Sequence, residues 1–374
     1  MFRPGAPSSR GDRLRVLQAT PVFEPSVGGV EIAVKQVASR LAARDDVTVE
    51  VLTTDATKGR LPSHQVVAGV PVNRVPAWPR GGDQMIAPGA FGRVARGGWD
   101  VVHVQCYHTF FSPAAMAAAA RAGIPYVLTF HAGGHSSRLR TALRGTQLRT
   151  LKPLFARAAA LIATADWEVD HYSRSLDLPR GRFVVIPNGA DLPAAPERKA
   201  AGEGTLIVSM GRLERYKGHQ LAIAALPELL REVPDARLWV AGVGPYEPEL
   251  RALARRLGVA GRVEIRAERD RVAYTAALAG ASVAVLLSEF ETHPIAALEA
   301  ANLGVPVLVS GDRPGTEELA RTGVALGVAH GAGAKRHAGA MLRLIREPPG
   351  RPVMEMASWE DCVDDLMALY SAVA

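Results

Sequence analysis

The first half of the chain alternates short apolar runs with amphipathic segments. The apolar runs are typical of buried strands, and the segments between them repeat apolar positions at helical period. The predicted strands are residues 14–19, 47–53, 101–105, 126–130, 161–165 and 184–187. A helix is predicted at residues 30–43, and alanine-rich helices are predicted before the fourth and fifth strands. Strands that alternate with helices indicate a parallel sheet that is covered on both faces.

The second half repeats this alternation. Its predicted strands are residues 205–210, 238–242, 263–266, 283–287 and 305–310, with helices between them. One predicted helix, residues 219–233, stops before Pro234, and another, residues 248–257, stops before Gly258. We therefore predict an α/β protein with two βαβ-type domains in tandem, whose parallel sheets face each other across a cleft. Ligands of such sheets bind at the carboxyl ends of the strands.

Composition shifts suggest the domain boundaries. Residues 1–190 are interpreted as the first domain, of which residues 1–12 are a loose tail, and residues 205–357 as the second domain. Residues 191–204 are rich in Pro, Ala, Gly and charge, which is typical of a linker. Residues 358–374 contain a predicted amphipathic helix with Ser358 as its N-cap.

The composition excludes several classes of protein. The 374 residues are 48% apolar and 22% charged, which is the mixture of an ordinary globular protein and not of a disordered one. Two cysteines exclude a disulfide scaffold and a structural zinc module, and they fit a reducing cytoplasm. The apolar stretches fall far short of a membrane span, and the N-terminus lacks the apolar core of a signal peptide. We therefore predict a cytoplasmic protein.

The net charge of +7 is unevenly distributed. Residues 1–190 hold 23 Lys and Arg against 13 Asp and Glu, whereas the remainder is slightly acidic. Residues 138–157 contain six basic residues and no acid, and their leucines recur near helical spacing. A basic amphipathic helix can make peripheral contact with an anionic membrane or face a phosphate-bearing acceptor, and a solvated helix face is the alternative. No recognition motif accompanies the charge, so no nucleic-acid partner is predicted.

Two candidate site segments follow strands of the first domain. Gly28 and Gly29 lie before the first helix, where glycines let the backbone approach a ligand and a helix N-terminus attracts phosphate. This loop lacks the G-x-G-x-x-G spacing of a dinucleotide site, and an ordinary flexible turn is the alternative. His131 ends the strand at residues 126–130 and precedes a glycine loop, so it is placed to face a cleft. A structural histidine is the alternative there.

Two cations and two carboxylates follow strands of the second domain. Arg212 and Lys217 come after its first strand and could grip a diphosphate, Arg by a forked contact and Lys as a point charge. A basic loop without function is the alternative. Glu291 and Glu299 are eight residues apart after the strand at 283–287, and two unrelated surface carboxylates are the alternative.

The segment between these glutamates contains His293, Pro294 and Ile295. Proline suits the first turn of a helix, so we predict a helix that begins near Pro294, with Glu291 in the loop before it and Glu299 inside it. Amides at that helix start could receive a phosphate or sugar oxygen. The sequence has no D-x-D motif, P-loop, G-x-S-x-G elbow or Cys/His metal spacing, so no metal site is predicted.

In this order, the motifs resemble those of the family 4 glycosyltransferases of the GT-B type, over about residues 14–370. They are Gly28-Gly29-Val30-Glu31, Val102-His103-Val104, Thr129-Phe130-His131, residues 186–191, Gly211-Arg212, Lys217-Gly218, residues 242–245, and Glu291 with Glu299. The resemblance implies two Rossmann-like domains, with a C-terminal helix that crosses back onto the first. It also implies transfer of a sugar from a nucleotide-sugar donor, a UDP or GDP sugar, to an acceptor hydroxyl. The anomeric configuration would be retained, and no metal or other cofactor would take part.

The resemblance assigns expected roles to the residues that hold the nucleotide. Arg212 and Lys217 would neutralise the departing diphosphate. The amides of Gly28 and Gly29 would lie against the same phosphates. Glu299 would bind the ribose hydroxyls.

Expected roles at the donor sugar follow in the same way. Glu291 would hold sugar hydroxyls, and His131 would lie beside the sugar at the reacting centre. The loop of His293, Pro294 and Ile295 would touch sugar and phosphate. The implied mechanism is front-face substitution, in which a phosphate oxygen takes the proton of the acceptor hydroxyl. A covalent intermediate on Glu291 is the less favoured version.

The chain departs from the family pattern in two places. Residues 292–295 replace a segment that often is Gly-Phe-Gly-Leu, and Pro294 has no amide hydrogen to give to the donor. The side chain of His293 could replace that contact or merely fill space. Residues 265–267 replace an aromatic-and-glycine strand end that usually helps to hold the base, which leaves the base open.

Other functions are weighed against this one. A phosphorylase or sugar-nucleotide hydrolase on the same fold would release sugar without an acceptor, and a non-catalytic sugar-nucleotide-binding protein would release none. A nicotinamide-dependent oxidoreductase is less favoured, because neither half has the dinucleotide glycine fingerprint. For a transferase, the acceptor remains either a soluble small molecule or a lipid-linked envelope precursor at the inner face of the membrane.

Overall fold

The computed structural model describes residues 13–26, 28–55, 61–79, 85–131, 138–189, 204–268, 270–350 and 357–374, with the backbone alone for residues 138–143. The predicted tail at residues 1–12 and all but the last residue of the predicted linker lie outside these ranges. The chain divides into two compact units. The first unit contains the chain up to residue 131, residues 142–189 and the C-terminal residues 357–374, and the second contains residues 138–141 and 204–350.

The first unit is built on a twisted sheet with helices on both faces. Its strands are β1 (Leu14–Ala19), β2 (Val47–Asp55), β3 (His64–Val67), β4 (Val70–Pro76), β5 (Val101–Gln105), β6 (Tyr126–Thr129), β7 (Ala160–Ala163) and β8 (Phe183–Val185). The first five helices are α1 (Gly29–Ala42), α2 (Pro88–Arg96), α3 (Phe111–Ala122), α4 (Arg138–Arg157) and α5 (Asp166–Leu176). The strand order is β3-β4-β2-β1-β5-β6-β7-β8, and every pair is parallel except β3 with β4. The strand order reverses direction between β1 and β5, which is the switch point of this sheet.

The second unit is a parallel sheet of the same kind. Its strands are β9 (Leu206–Met210), β10 (Arg237–Ala241), β11 (Val263–Arg266), β12 (Val283–Leu286), β13 (Val307–Ser310) and β14 (Leu326–Val328). Its helices are α6 (His219–Leu229), α7 (Glu247–Arg256), α8 (Arg271–Ala279), α9 (Ile295–Asn302), α10 (Glu317–Arg321) and α11 (Ala334–Arg346). The strand order is β11-β10-β9-β12-β13-β14, and the switch point lies between β9 and β12. The predicted α/β architecture of parallel sheets is therefore confirmed.

Each face of the second sheet carries its own apolar core. Helices α6, α7 and α11 bury leucines and alanines, together with Ile223 and Met341, against one face. Helices α8, α9 and α10 do the same against the other face. Both faces of the strands are thus removed from water, which explains why these strands are nearly continuous apolar runs.

The last helix, α12 (Trp359–Val373), packs onto α1 of the first unit. Its buried side chains, which include Leu366 and Tyr370, join one core with residues of α1 and of the sheet. Ser358 starts the helix with a reciprocal capping box in which Asp361 is the partner, so the predicted N-cap is confirmed. Ion pairs to acids of α12, from Arg40 of α1 and from Arg44 just after that helix, border the apolar contact.

The hydrophobic pattern does not predict three elements between residues 56 and 100. Strand β3 is a short edge strand with mostly exposed side chains, so it lacks an apolar run. Strand β4 and helix α2 lie in a stretch interrupted by Gly and Pro, which masks their periodicity. Helix α6 also ends at Leu229, earlier than predicted, because the chain tightens into turns there, in which the amide of Glu232 donates to the carbonyl of Leu229 at 3.0 Å.

The predicted basic helix is present as α4, but its apolar side belongs to the core. Leu148 and Phe155 are buried, and the Phe155 ring lies 5.8 Å from Tyr107 and 5.7 Å from Phe130, between ring centroids. The side chains of residues 138–143, including two of the six predicted basic residues, are outside the description. Membrane contact by residues 138–157 therefore stays a prediction that relies on charge. Within the described ranges, the structure contains no helix long and apolar enough to cross a bilayer.

Two glycines with positive φ allow close backbone contacts in the second unit. A Cβ atom on Gly218, at φ +77°, would lie 1.9 Å from the carbonyl oxygen of Leu287. A Cβ atom on Gly315, at φ +79°, would lie 2.0 Å from the carbonyl oxygen of Glu291. Both contacts fix the segment that follows β12, so this segment depends on glycine for space as well as for its backbone angles.

We expect Gly218→Ala to destabilise the second unit far more than Gly258→Ala. Gly258 has a similar φ of +70° with open space around it, so alanine there costs only the left-handed strain of about 1–2 kcal/mol. Alanine at residue 218 adds a backbone clash and should cost more than about 3 kcal/mol. Urea unfolding of both variants measures the difference, and equal losses of stability would contradict this account.

Candidate functional site

The carboxyl ends of β9 and β12 flank the switch point of the second sheet, and a buried ion pair joins the loops that follow them. Lys217 lies in a short 3₁₀ turn after β9, and Glu291 lies in the loop after β12. The Lys217 Nζ atom donates to both carboxylate oxygens of Glu291, at 2.7 and 2.9 Å. The hydroxyl of Ser288 donates to Glu291 Oε1 at 2.5 Å. The site therefore joins a cation to a carboxylate where α/β sheets bind ligands.

Both partners of this pair are shielded from water. The side chains of Lys217 and Glu291 are 16% and 9% exposed. Burial works to lower the pKa of Lys217, but Glu291 and Tyr216 together outweigh burial and leave that pKa raised. Lys217 thus stays an ammonium group with three N–H donors, of which two meet Glu291.

Arg212 lies on the same loop as Lys217 but is exposed. Its side chain is 56% exposed and makes a 3.4 Å contact with Glu214. The loop backbone is held by buried His219, which donates from Nε2 to the Arg212 carbonyl at 3.1 Å and bonds through Nδ1 with Ser209 at 2.8 Å. Burial lowers the pKa of His219 to about 4, so this histidine is a neutral structural anchor.

Glu299 lies inside α9, as predicted, and forms a second ion pair. Its partner is Arg271, the first residue of α8, whose guanidinium also lies 5.6 Å from the ring centroid of Tyr274. Burial raises the pKa of Glu299, although Arg271 works against that rise. Nothing in the sequence pattern pointed to Arg271, because only the packing of α8 beside α9 brings it to Glu299.

The segment between the glutamates begins α9 one residue after the proline. Pro294 is the N-cap, and the amide of Ile295 donates to the carbonyl of His293 at 2.8 Å. One of the amides predicted to bind donor oxygens is thus used inside the loop. The Nδ1 atom of His293 is buried and has no hydrogen-bond partner among the described residues. Burial lowers the pKa of His293 to about 4, so its ring is neutral.

Gly28 and Gly29 begin α1 at the carboxyl end of β1, as predicted. Gly28 is the N-cap, and its carbonyl accepts from the amide of Ile32 at 3.0 Å. The carboxylate of Glu31 lies against the position where a side chain on Gly28 would be. An acid in the first turn suits the positive end of the helix, so this helix start already has a negative group beside it.

His131 follows β6 in the first unit with a left-handed φ of +43°, which is uncommon for a residue with a side chain. Its Nε2 atom lies 2.7 Å from Oε1 of Gln105, the last residue of β5. Burial lowers the pKa of His131 to about 4. The ring is therefore neutral and oriented by a hydrogen bond from the neighbouring strand.

The structure sorts the predicted site residues into separate groups. Lys217 and Glu291 are joined directly, whereas Glu299 has its own cation and Arg212 stands exposed on the first loop. His131, Gly28 and Gly29 belong to the first unit. Sequence reasoning missed Ser288, Gln105 and Arg271. For the first two a signal existed, because each is a polar residue at or just beyond the carboxyl end of a buried strand.

Two family models match this chain. Residues 28–189 match a glycosyl transferase 4-like domain, and residues 194–357 match the glycosyl transferases group 1. Together they span most of the chain, with residues 190–193 between them.

Curated relatives agree with these models. The chain is 29% identical to a D-inositol 3-phosphate glycosyltransferase of Nocardiopsis dassonvillei, over 95% of this chain and 93% of that protein. It is also 29% identical to a GDP-mannose:cellobiosyl-diphosphopolyprenol alpha-mannosyltransferase of Xanthomonas oryzae, over 79% of this chain and 78% of that protein.

A solved structure shares the fold. Anabaena Alr3699/HepE, in complex with UDP-glucose, superposes with a TM-score of 0.69 at 19% identity and covers 96% of both chains. The parallel sheets, the matched domains and the relatives all lead to one assignment. The chain belongs to the group 1 glycosyltransferases of family 4, with the GT-B fold.

Proposed function

We propose that this glycosyltransferase moves a sugar from a nucleotide-sugar donor to an acceptor hydroxyl, with retention of configuration and without a catalytic metal. The observation that carries the proposal is the buried Lys217–Glu291 pair at the switch point between β9 and β12. It sets a fixed positive charge beside a carboxylate in a water-poor site, where electrostatic stabilisation of a leaving diphosphate is strongest.

The two cations of the first loop are suited to different parts of the diphosphate. The third N–H of Lys217 is left for a phosphate oxygen after two meet Glu291. The exposed guanidinium of Arg212 can donate hydrogen bonds to two phosphate oxygens at once. These positive charges would offset the charge that develops on the leaving group, which is the role a metal ion fills in other transferases. In our proposal, no metal or other cofactor is needed.

The carboxylates would bind hydroxyl groups of the donor. Glu291, already oriented by Lys217 and Ser288, would accept from hydroxyls of the sugar. Glu299, held by Arg271, would accept from the ribose. His293 would supply a side-chain contact in place of the amide that Pro294 lacks, and the unpartnered Nδ1 of His293 supports that role.

The chemistry would be a front-face substitution. The bond between the anomeric carbon and the diphosphate breaks as the acceptor hydroxyl attacks from the same side, and a phosphate oxygen takes the hydroxyl proton. His131, neutral and beside the sugar, would contact the reacting centre without adding a charge that repels the oxocarbenium-like state. Gly28 and Gly29 would contact the phosphates through their amides.

The proposed donor is a UDP or GDP sugar, and the proposed acceptor carries phosphate. The relative from Xanthomonas is named for GDP-mannose and a diphosphopolyprenol acceptor, and the relative from Nocardiopsis for inositol 3-phosphate. Both named acceptors are anionic. Residues 1–190 of this chain hold 23 Lys and Arg against 13 Asp and Glu, which favours such an acceptor, soluble or lipid-linked.

Nucleotide release tests the proposal directly. The pure protein is incubated with UDP-, GDP-, ADP- or dTDP-sugars in EDTA, with and without inositol phosphates or polyprenyl diphosphate sugars. We expect UDP or GDP release that persists in EDTA and rises with a phosphate-bearing acceptor, and NMR of the product should show the anomeric configuration of the donor. Activity that EDTA abolishes and Mg²⁺ restores, or an inverted product, would contradict the proposal.

Glu291→Gln should lower turnover by several orders of magnitude while nucleotide binding persists. The amide keeps the size of the side chain but removes the charge that pairs with Lys217 and receives the sugar hydroxyls. Glu289→Gln is the matched control, since Glu289 lies two residues away with a half-exposed side chain. Steady-state kinetics and calorimetric titration with UDP and GDP measure both. Transfer near the wild-type rate by Glu291→Gln would exclude this role.

Arg212→Ala should weaken nucleotide binding and transfer together, by about tenfold to a hundredfold for a lost charge-assisted contact. Arg231→Ala is the control, because Arg231 is an exposed arginine on the turn after α6 whose guanidinium pairs with Glu228. Unchanged nucleotide affinity of Arg212→Ala would remove the arginine from the diphosphate site.

A further inference from the structure

A stripe of buried polar side chains crosses the sheet of the first unit. Gln18 lies on β1, His103 and Gln105 on β5, and Thr129 on β6, and none is more than 4% exposed. These strands are neighbours, with Gln18 in register with His103 and Gln105 with Thr129. Buried polar groups are costly unless hydrogen-bonded, so the partners of this stripe require an explanation.

The stripe connects His131 to the C-terminal helix. His131 Nε2 lies 2.7 Å from Gln105 Oε1, and the Gln105 amide nitrogen donates to Gln18 Oε1 at 2.8 Å. The Gln18 amide nitrogen in turn donates to the hydroxyl of Tyr370 on α12 at 2.9 Å. Because the amide nitrogen of Gln105 is committed to Gln18, its oxygen accepts from His131, and the ring of His131 carries its proton on Nε2.

The Tyr370 hydroxyl also forms a second hydrogen bond, which extends the series to His103 and Thr129. Tyr370 Oη lies 2.6 Å from His103 Nδ1, and His103 Nε2 lies 2.7 Å from Thr129 Oγ1. Since the hydroxyl accepts from Gln18, its own proton goes to His103 Nδ1, and His103 donates from Nε2 to Thr129. Burial lowers the pKa of His103 to about 3, so this ring is neutral, as that pattern requires.

We propose that Tyr370, through Gln18 and Gln105, is a positioning residue that holds His131 as the Nε2–H tautomer, with Nδ1 as its acceptor nitrogen. Each hydrogen bond from His131 through Gln105 and Gln18 to Tyr370 has its donor on the His131 side. The group that donates at Tyr370 therefore determines which nitrogen of His131 carries the proton. The inference rests on the proposed function, in which His131 lies at the reacting centre. It also gives α12 a role beyond packing, because this helix supplies the hydroxyl that sets the direction of the hydrogen bonds leading to His131.

Tyr370→Phe removes this hydroxyl and keeps the aromatic ring in the core. Gln18 then loses its acceptor and His103 its donor, so the orientation of Gln105 is no longer fixed. We expect turnover to fall about tenfold, with the nucleotide affinity and the KM for the donor unchanged. Tyr172→Phe is the matched control, because Tyr172 is a buried tyrosine of the same unit whose hydroxyl lies 3.4 Å from that of Tyr107, outside the stripe.

A spectroscopic measurement separates positioning from general destabilisation. Long-range ¹H–¹⁵N correlation spectra of protein with ¹⁵N-labelled histidine report the tautomer of each ring, and the spectrum of His131→Ala assigns the signal of His131. We expect a single Nε2–H pattern for His131 in the wild type and in Tyr172→Phe, and averaged nitrogen shifts in Tyr370→Phe. An Nδ1–H tautomer of His131 in the wild type would overturn the proposal. The proposal would also be overturned if Tyr370→Phe had the same His131 nitrogen shifts and the same turnover as the wild type.

His131→Ala distinguishes failure of this inference from failure of the proposed function. If transfer survives that variant at the wild-type rate, His131 is not at the reacting centre, and the proposed role of the histidine is wrong. If His131→Ala abolishes transfer while Tyr370→Phe changes neither turnover nor tautomer, the role of the histidine stands and the positioning by Tyr370 is rejected. Unfolding curves for all three variants identify any that lose activity by losing structure.

Discussion

The buried pair of Lys217 and Glu291 is the interaction on which the site of the second unit depends. It connects the loops after β9 and β12, so it fixes the two sides of the switch point to each other. Gly218 lets the first loop approach Leu287, and Gly315, in the loop after β13, lies against Glu291, because a side chain at either position would meet backbone. Neither charge tolerates loss of the other easily, since a buried charge without its partner is strongly unfavourable.

The first unit stabilises its polar groups in a different way. Its stripe from Gln18 to Thr129 is neutral and is closed by Tyr370, so hydrogen bonds alone compensate for burial. The second unit instead uses two ion pairs, one for each of its glutamates. The second unit thus places fixed charge beside its switch point, and the first unit places neutral donors and acceptors around His131.

Helix α12 both completes a core of the first unit and contributes a hydroxyl to the hydrogen bonds around His131. Its apolar side completes the core against α1. Its capping box stabilises the N-terminal end of the helix, and ion pairs border the apolar contact. The same packing brings the hydroxyl of Tyr370 to the middle of the sheet. A residue more than two hundred positions away in sequence therefore belongs to the hydrogen-bonded environment of His131.

The sequence by itself determined the architecture and most of the candidate residues. Apolar runs identified most strands, and Pro294 as a helix-start signal correctly placed Glu299 inside a helix, because these patterns are local. Local patterns failed for β3, whose exposed edge has no apolar run, and for the end of α6, where the chain tightens into turns. Only the tertiary structure decided which cation meets which carboxylate and which hydroxyl orients His131. Those contacts join strands and helices far apart in the chain, and their distances follow from packing that no periodicity encodes.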